Sequence, residues 1–244
     1  MRTPAPPCIV ARMRFPLLHR GTLLVRRQRF LADIRLDDGR EVLAHCPNTG
    51  RMHGYSAPGL RVWVSERSAA GRCRWTWELA EVGGALVGVH PARANALAVE
   101  AIDAGRIPQL AGYSTYRREV RYGHEGSRVD LLLGGPGRSD CYVEIKSVTA
   151  ADEYGLGIFP DAVSARGLRH LRELQRVAAA GARAVLLFCV QRADVLAVRA
   201  ASEIDPAYAH GLQEAGMAGV EVLAWQCALS LQEITLARRL PVLP

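Results

Sequence analysis

Lysine is all but absent from this chain: among 244 residues and 31 basic side chains, Lys146 is the one lysine. Arginine, a planar fork that stays charged, meets every generic need for positive charge. The one position that keeps a compact ammonium, whose proton burial can loosen, is thereby singled out for its chemistry. Long apolar runs are missing too. The cleanest, Ala184-Val185-Leu186-Leu187-Phe188-Cys189-Val190, has the length of a strand and falls far short of the roughly 20 residues that span a bilayer, so no membrane partner is expected. Pro4, Pro6 and Pro7, then Arg12 and Arg14, interrupt any apolar segment that a secretory signal needs, which predicts a cytoplasmic protein. The cysteines Cys8, Cys46, Cys73, Cys141, Cys189 and Cys227 include no C-x-x-C pair, so neither a zinc ribbon nor a disulfide framework is indicated and buried thiols are expected. His45 and His53 flank Cys46 but lack a fourth ligand at a recognisable spacing. No internal repeat or low-complexity segment occurs, and the sequence sets no oligomeric state.

What charge there is lies unevenly. Residues 1–85 hold 14 Arg against 7 Asp plus Glu, which accounts for the whole net charge of +7; residues 86–244 hold 17 basic and 17 acidic side chains. Arg26, Arg27 and Arg29 cluster early, and Arg72 and Arg74 alternate with Trp75 and Trp77. Positive charge interleaved with aromatic faces suits a strand that tracks phosphates and stacks bases, which nominates a nucleic acid, DNA first, as partner. The competing reading is a solvated basic face with a tryptophan in the core.

Turn signals Asp38-Gly39, Asn48-Thr49-Gly50, Pro58-Gly59, Ala70-Gly71 and Gly83-Gly84 separate short apolar or alternating runs at 23–25, 30–36, 42–44, 60–64 and 75–82. That rhythm predicts a small all-β barrel or sandwich. Arg51, at the edge of the second turn, is placed to meet a phosphate. Beyond Gly88 the pattern changes: helices are expected at 91–104, 164–180 and 206–216, and strands at 114–121, 127–133, 141–148, 183–190 and 220–225, an α/β layer. Arg166, His170 and Glu173 share one face of the second helix. Asp161 is read as a cap for that helix, the simpler alternative to a support for a metal shell.

The run Cys141-Tyr142-Val143-Glu144-Ile145-Lys146-Ser147 is strand-like, so Glu144 and Lys146 project from one face about 7 Å apart. Gly134, Gly135, Pro136 and Gly137 supply a turn back to Ser127-Arg128-Val129-Asp130-Leu131, and the hairpin brings Asp130 to Glu144. Two converging carboxylates repel unless a cation lies between them, and hard oxygen ligands of this kind suit Mg2+ or Mn2+. A lysine beside such an ion orients or deprotonates a water and offsets charge developing on phosphorus, the chemistry of a phosphodiesterase. The competing reading is a surface ion pair on an amphipathic strand.

Asp130 followed by Glu144-Ile145-Lys146 resembles the PD-(D/E)XK nuclease signature. Longer phrases resemble the sugar fermentation stimulation protein family: His45-Cys46-Pro47-Asn48-Thr49-Gly50-Arg51-Met52, Ser127-Arg128-Val129-Asp130, Val143-Glu144-Ile145-Lys146-Ser147-Val148-Thr149 and Phe159-Pro160-Asp161-Ala162-Val163-Ser164, in that order along the chain. The resemblance implies an OB-fold-like N-terminal nucleic-acid-binding domain, placed at 1–86. It implies an α/β restriction-endonuclease-like domain at 87–244, with DNA as partner. It also implies metal ligands Asp130, Glu144 and the carbonyl of Ile145, with Lys146 positioning the attacking water and Glu100 on the first helix as an extra acid, a role for which Glu119 competes. Arg166 and His170 would reach the substrate from the second helix. The expected function is a Mg2+-dependent nuclease, the alternative a non-cleaving DNA-binding regulator of sugar metabolism; a carbohydrate enzyme leaves Lys146 without a role.

Overall fold

The computed structural model describes residues 12–67 and 73–244, so Cys8 and Arg72 lie outside the described residues. A two-residue strand, β1 (Met13–Arg14), precedes six strands of a first sheet: β2 (Leu18–Arg27), β3 (Leu31–Leu36), β4 (Glu41–His45), β5 (Arg61–Glu66), β6 (Trp75–Val82) and β7 (Ala85–Gly88). Their order is β4-β3-β2-β5-β6-β7, and a parallel contact of Ala44 with Trp75 and His45 with Thr76 joins β4 to β6. Closure removes the free edges that an open sheet of this size exposes. Alternation drives it: in β3 Ala32, Ile34 and Leu36 are buried while Arg35 is exposed. With Leu23, Val62, Val64 and Trp77 these residues fill the barrel. The short β7, unpredicted from sequence, carries the first sheet just past the expected boundary at residue 86.

The rest of the chain runs α1 (Arg93–Asp103), β8 (Thr115–Tyr122), β9 (Ser127–Gly134), β10 (Cys141–Val148), β11 (Ala150–Ala151), β12 (Leu156–Phe159), α2 (Ala165–Ala179), β13 (Arg183–Val190), β14 (Ala197–Ala200), α3 (Pro206–Met217), β15 (Glu221–Leu229) and β16 (Glu233–Leu240). A mixed sheet in the order β1-β16-β15-β13-β10-β9-β8 has parallel centre strands β10, β13 and β15. Strand β13 is buried along nearly its whole length, as a parallel strand covered on both faces must be. Helix α1 contributes Ala94, Leu97, Ala98 and Ala101 to the core on one face, while α2 and α3 contribute Leu171, Leu174, Tyr208 and Leu212 on the other. The first of these cores also takes in Trp63 and Leu79 of the barrel, so apolar packing is continuous across the seam. Strands β11, β12 and β14 form a small separate sheet. These and β16 escaped the sequence reading, since two- to four-residue strands show no period and β16 carries the exposed run Ala237-Arg238-Arg239 that breaks its alternation. No described helix is long and apolar enough to cross a membrane.

Capping fixes the helix starts. Ser164 accepts from Gly167 N to cap α2, and Asp205 caps α3 through Tyr208 N while also accepting from Ser164 N, which ties the two helix starts together. Asp161 therefore does not cap α2. Its carboxylate turns instead to the barrel and accepts from Met52 N at 3.3 Å.

Candidate active site

Strands β9 and β10 pair through Cys141–Leu133, Tyr142–Leu132 and Val143–Leu131, and the pairing then stops. The next step in that register sets Asp130 opposite Glu144. Here the strands part, and the Asp130 carboxylate fills the gap by accepting from Ile145 N at 2.7 Å and from Asn95 Nδ2 of α1 at 2.9 Å. A strand residue points its N–H and C=O to the same side, so the Ile145 carbonyl faces this gap as well.

Glu144 is 2% exposed. Its Oε1 accepts from Lys146 Nζ at 2.6 Å and meets His170 Nδ1, which lies 3.2 Å from the same ammonium. Arg166 Nε donates to His170 Nε2 at 3.4 Å, which leaves the imidazole proton on Nδ1, aimed at Glu144. The other Glu144 oxygen, Oε2, is buried without a partner. Burial pushes the Glu144 carboxyl up, but the His170 hydrogen bond and the Lys146 charge outweigh it, so the group is held below the usual carboxylate range. Asp130 shifts the other way: burial first, then the Glu144 charge, raise it against the hydrogen bonds from Ile145 and Asn95. Tyr122, whose hydroxyl is buried without a partner, is pushed up by burial and by the same carboxylates. The two acids are thus driven apart in proton affinity, an arrangement typical of functional sites.

The structure brings Asp130, Glu144, Ile145, Lys146 and His170 together. His170, 3% exposed and held on Glu144, is a positioning group for the acid rather than a surface contact. Glu100 does not join them. It is 8% exposed, accepts from Met13 N at 2.7 Å and pairs with Arg106 at 2.8 Å, so it anchors β1 and the end of α1. What α1 offers the site is Asn95, which the sequence did not flag because an amide in a first helical turn reads as an ordinary start signal. Glu119 is exposed with φ 52°, in the register position across β9 from Asp130. Among the described residues no three His, Cys, Asp or Glu side chains converge as a ready-made metal cage. Glu173, expected on the face of His170, is fully buried and accepts from His124 N and Glu125 N, clamping the β8–β9 turn onto α2. Gly123 permits this: its φ is 69°, and a Cβ there would overlap Glu173 Oε2.

The barrel residues named from sequence are disposed differently. Trp75 is 6% exposed, edge-on to His19 at 5.0 Å and lying under the Arg40 guanidinium, so no open face is left on which a base can stack. Arg26 is taken up by backbone, donating to the carbonyls of Arg29, Asn48 and Gly50 at 2.8 Å. Arg27 pairs with Asp33 at 2.6 Å, and Arg74 with Glu66. Arg29 and Arg51 are exposed. The turn that ends at Arg51 is an interdomain joint: Asn48 Oδ1 accepts from Gly50 N, Asn48 Nδ2 donates to Tyr55 OH, and Tyr55 OH meets Thr149 Oγ1 of the second domain at 2.5 Å. Two phrases distant in sequence, 45–52 and 159–164, thus meet at one seam.

A closed small barrel followed by a mixed-sheet α/β domain defines a two-domain class, an OB domain carrying a second domain with an acid-lysine strand at its centre. Family models agree: "SfsA N-terminal OB domain" matches residues 24–89 and "Sugar fermentation stimulation protein RE domain" matches residues 92–233. The chain belongs to the sugar fermentation stimulation protein (SfsA) family. The homologue of Shewanella putrefaciens (strain CN-32 / ATCC BAA-453) is 50% identical over 229 residues, covering 93% of this chain and 97% of that protein. The homologue of Thioalkalivibrio sulfidiphilus (strain HL-EbGR7) is 55% identical over 210 residues, covering 86% and 88%. The solved structure of Pyrococcus furiosus SfsA in complex with Ca2+ is 30% identical, with a TM-score of 0.84 over 95% of this chain and 98% of that one.

Proposed function

We propose that the chain binds DNA and hydrolyses its phosphodiester bonds, with Mg2+ or Mn2+ held by Asp130, Glu144 and the carbonyl of Ile145. The observation that carries the reading is the gap where β9 and β10 part. It gathers a carboxylate raised by burial and by its neighbour's charge, a second carboxylate with a buried, unpartnered oxygen, and a main-chain carbonyl on the same strand edge. That donor set is all oxygen, as these hard cations require. A bound ion would supply Lewis-acid stabilisation of the phosphoryl oxygens and a more acidic water. Lys146, on the face of Glu144 and 13% exposed at its side chain, orients or deprotonates that water, while His170 holds the Glu144 carboxylate in one orientation. That a relative was solved with Ca2+ supports an oxygen-liganded divalent site.

The second reading is a DNA-binding regulator of sugar metabolism that keeps this architecture without cutting. What favours it is that Lys146 and His170 already satisfy one Glu144 oxygen and no third acid completes a cage among the described residues. Incubation of the full chain with labelled single- and double-stranded DNA and RNA, in Mg2+, in Mn2+ and in chelator, separates the two. Metal-dependent cleavage that disappears in Glu144→Gln supports the nuclease; binding without cleavage in every metal supports the regulator.

A further inference from the structure

The excess positive charge of the sequence lies in its first 85 residues, but many arginines there are held by local partners. Among the described residues, exposed ones without an ion-pair partner, such as Arg29, Arg51 and Arg67, stand on turns and loops rather than in a row along a strand. Arg27, Arg35 and Arg61 pair with Asp33, Glu41 and Glu81, Arg20 and Arg74 with Asp37 and Glu66, and Arg26 is consumed by three carbonyls. Strand β8, the free edge of the second sheet, is the opposite case. Arg117, Arg118 and Arg121 are exposed on it, and Arg128 stands on β9 directly across from Arg121. Among the described residues no carboxylate pairs with any of these four guanidinium groups. Of the neighbouring acids, Glu125 is taken by Arg172 and Arg176, at 2.8 and 3.0 Å, while Glu119, exposed on β8 itself between Arg118 and Arg121, pairs with none of the four and leaves the row net positive. Tyr116 adds an exposed ring, with Arg118 5.7 Å from its centroid. Charge on an edge strand also deters strand addition, but that purpose is indifferent to sign and to position.

Position is what distinguishes this row. In the β8–β9 register Arg118 faces Leu131 and Val120 faces Val129, so β8 runs alongside Asp130 at one strand spacing, about 4.8 Å between backbones. Arg117, Arg121 and Arg128 stand on one face of the sheet edge and Arg118 on the other. Arg117 and Arg121 are about 13 Å apart along the strand, a length that spans roughly four base-pair rises along the axis of a DNA duplex. On the far side of the acid pair Arg166 of α2 is exposed. From these observations, and resting on the reading of Asp130 and Glu144 as a phosphodiester site, we propose that the β8 edge is the phosphate-binding track. Its arginines Arg117, Arg118, Arg121 and Arg128 hold the backbone of a DNA duplex beside the acid pair, and the footprint of the protein on DNA lies on the second domain rather than on the barrel.

The test compares two full-length variants of equal charge change, Arg117→Gln/Arg118→Gln/Arg121→Gln and Arg20→Gln/Arg35→Gln/Arg61→Gln. Binding of a fluorescent 20-base-pair duplex is followed by anisotropy in chelator across a range of salt, so that cleavage is not required. Loss of three phosphate contacts should make the slope of log affinity against log salt shallower by about 2 to 3 and weaken binding at least about tenfold near 0.1 M salt. The barrel variant should keep the parent slope. All these side chains are exposed, so melting temperatures should match the parent. If the triple variant does not fold, Arg117→Gln and Arg121→Gln singly should each lower the slope by about 0.9. A parent that binds while both variants bind alike overturns the track and leaves the proposed chemistry standing. A parent that binds but never cleaves in Mg2+ or Mn2+ removes the nuclease reading, yet the track stands if the β8 variant alone loses affinity. Loss of binding to anionic phospholipid vesicles, with duplex binding unchanged, also overturns it.

Discussion

Asp130→Asn should make the protein more stable in chelator and less responsive to magnesium. Folding buries the Asp130 carboxyl next to the charge of Glu144, and both effects raise its proton affinity. For a carboxyl whose folded value is raised, the ionised group opposes folding. The penalty is absent below the unfolded value, near 3.9, and grows as pH rises from there toward the raised folded value, so it is larger at pH 7 than at pH 4. Asparagine removes it and keeps the shape: its carbonyl oxygen can accept from Ile145 N, and the Asn95 amide can turn to receive its NH2. A single stabilising substitution is commonly worth about 1 kcal/mol, a rise in melting temperature of about 2–4 °C for a chain of this size. Magnesium acts in the opposite sense. At ten times its dissociation constant an ion that binds only the folded state adds RT ln 11, about 1.4 kcal/mol, and this should appear in the parent but not in the variant. Thermal melting at pH 4, 5.5 and 7, with chelator and with millimolar magnesium, reads both. The variant should lead in chelator at pH 7, with the lead shrinking toward pH 4, and the parent should close the difference when magnesium is added. A variant no more stable than the parent at pH 7, or equal magnesium stabilisation of both, would refute the account of the acid pair.

On the nuclease reading, Lys146→Ala should slow cleavage by about 10²- to 10⁴-fold with duplex binding nearly intact. Lys146→Arg should recover little of that loss, since a planar fork cannot take the narrow place between Glu144 and His170 or release its proton at neutral pH; parent-like single-turnover rates in the Arg variant would make the lone lysine an accident of composition. Gly123→Ala should destabilise by on the order of 3 kcal/mol or more, adding the cost of a left-handed alanine, about 1–2 kcal/mol, to the loss of charge-assisted bonds from His124 N and Glu125 N to Glu173. Denaturant unfolding measures it, and a shift under 1 kcal/mol would mean that the clamp is slack. Trp75→Ala should cost about 3–5 kcal/mol of stability while leaving the salt dependence of DNA binding unchanged. A selective loss of single-strand affinity in a fully folded Trp75→Ala protein would restore the stacking role.

How far the sequence reached depends on whether a feature is local. Alternation and turn residues determined the barrel strands, because the period of side-chain direction along a strand is a property of the strand itself. The approach of Asp130 to Glu144 was equally legible: a glycine-rich turn between two apolar runs leaves few registers, and continuing the observed one past Val143–Leu131 sets these residues opposite each other. The solitary lysine pointed to the strand on which the candidate site is built, and the spacing of Arg166, His170 and Glu173 placed them on one helix face. Only the tertiary structure decided what each of these groups meets. Glu100 and Asn95 sit on the same short helix, yet packing turns the glutamate to Arg106 and Met13 and the amide to Asp130. Net charge in the first third was counted correctly, but its availability was not legible, since Arg27 and Asp33 or Arg61 and Glu81 become partners only when strands pair. Charge is a property of composition, whereas free charge is a property of neighbours, and neighbours across a sheet are set by register and closure that no single segment encodes.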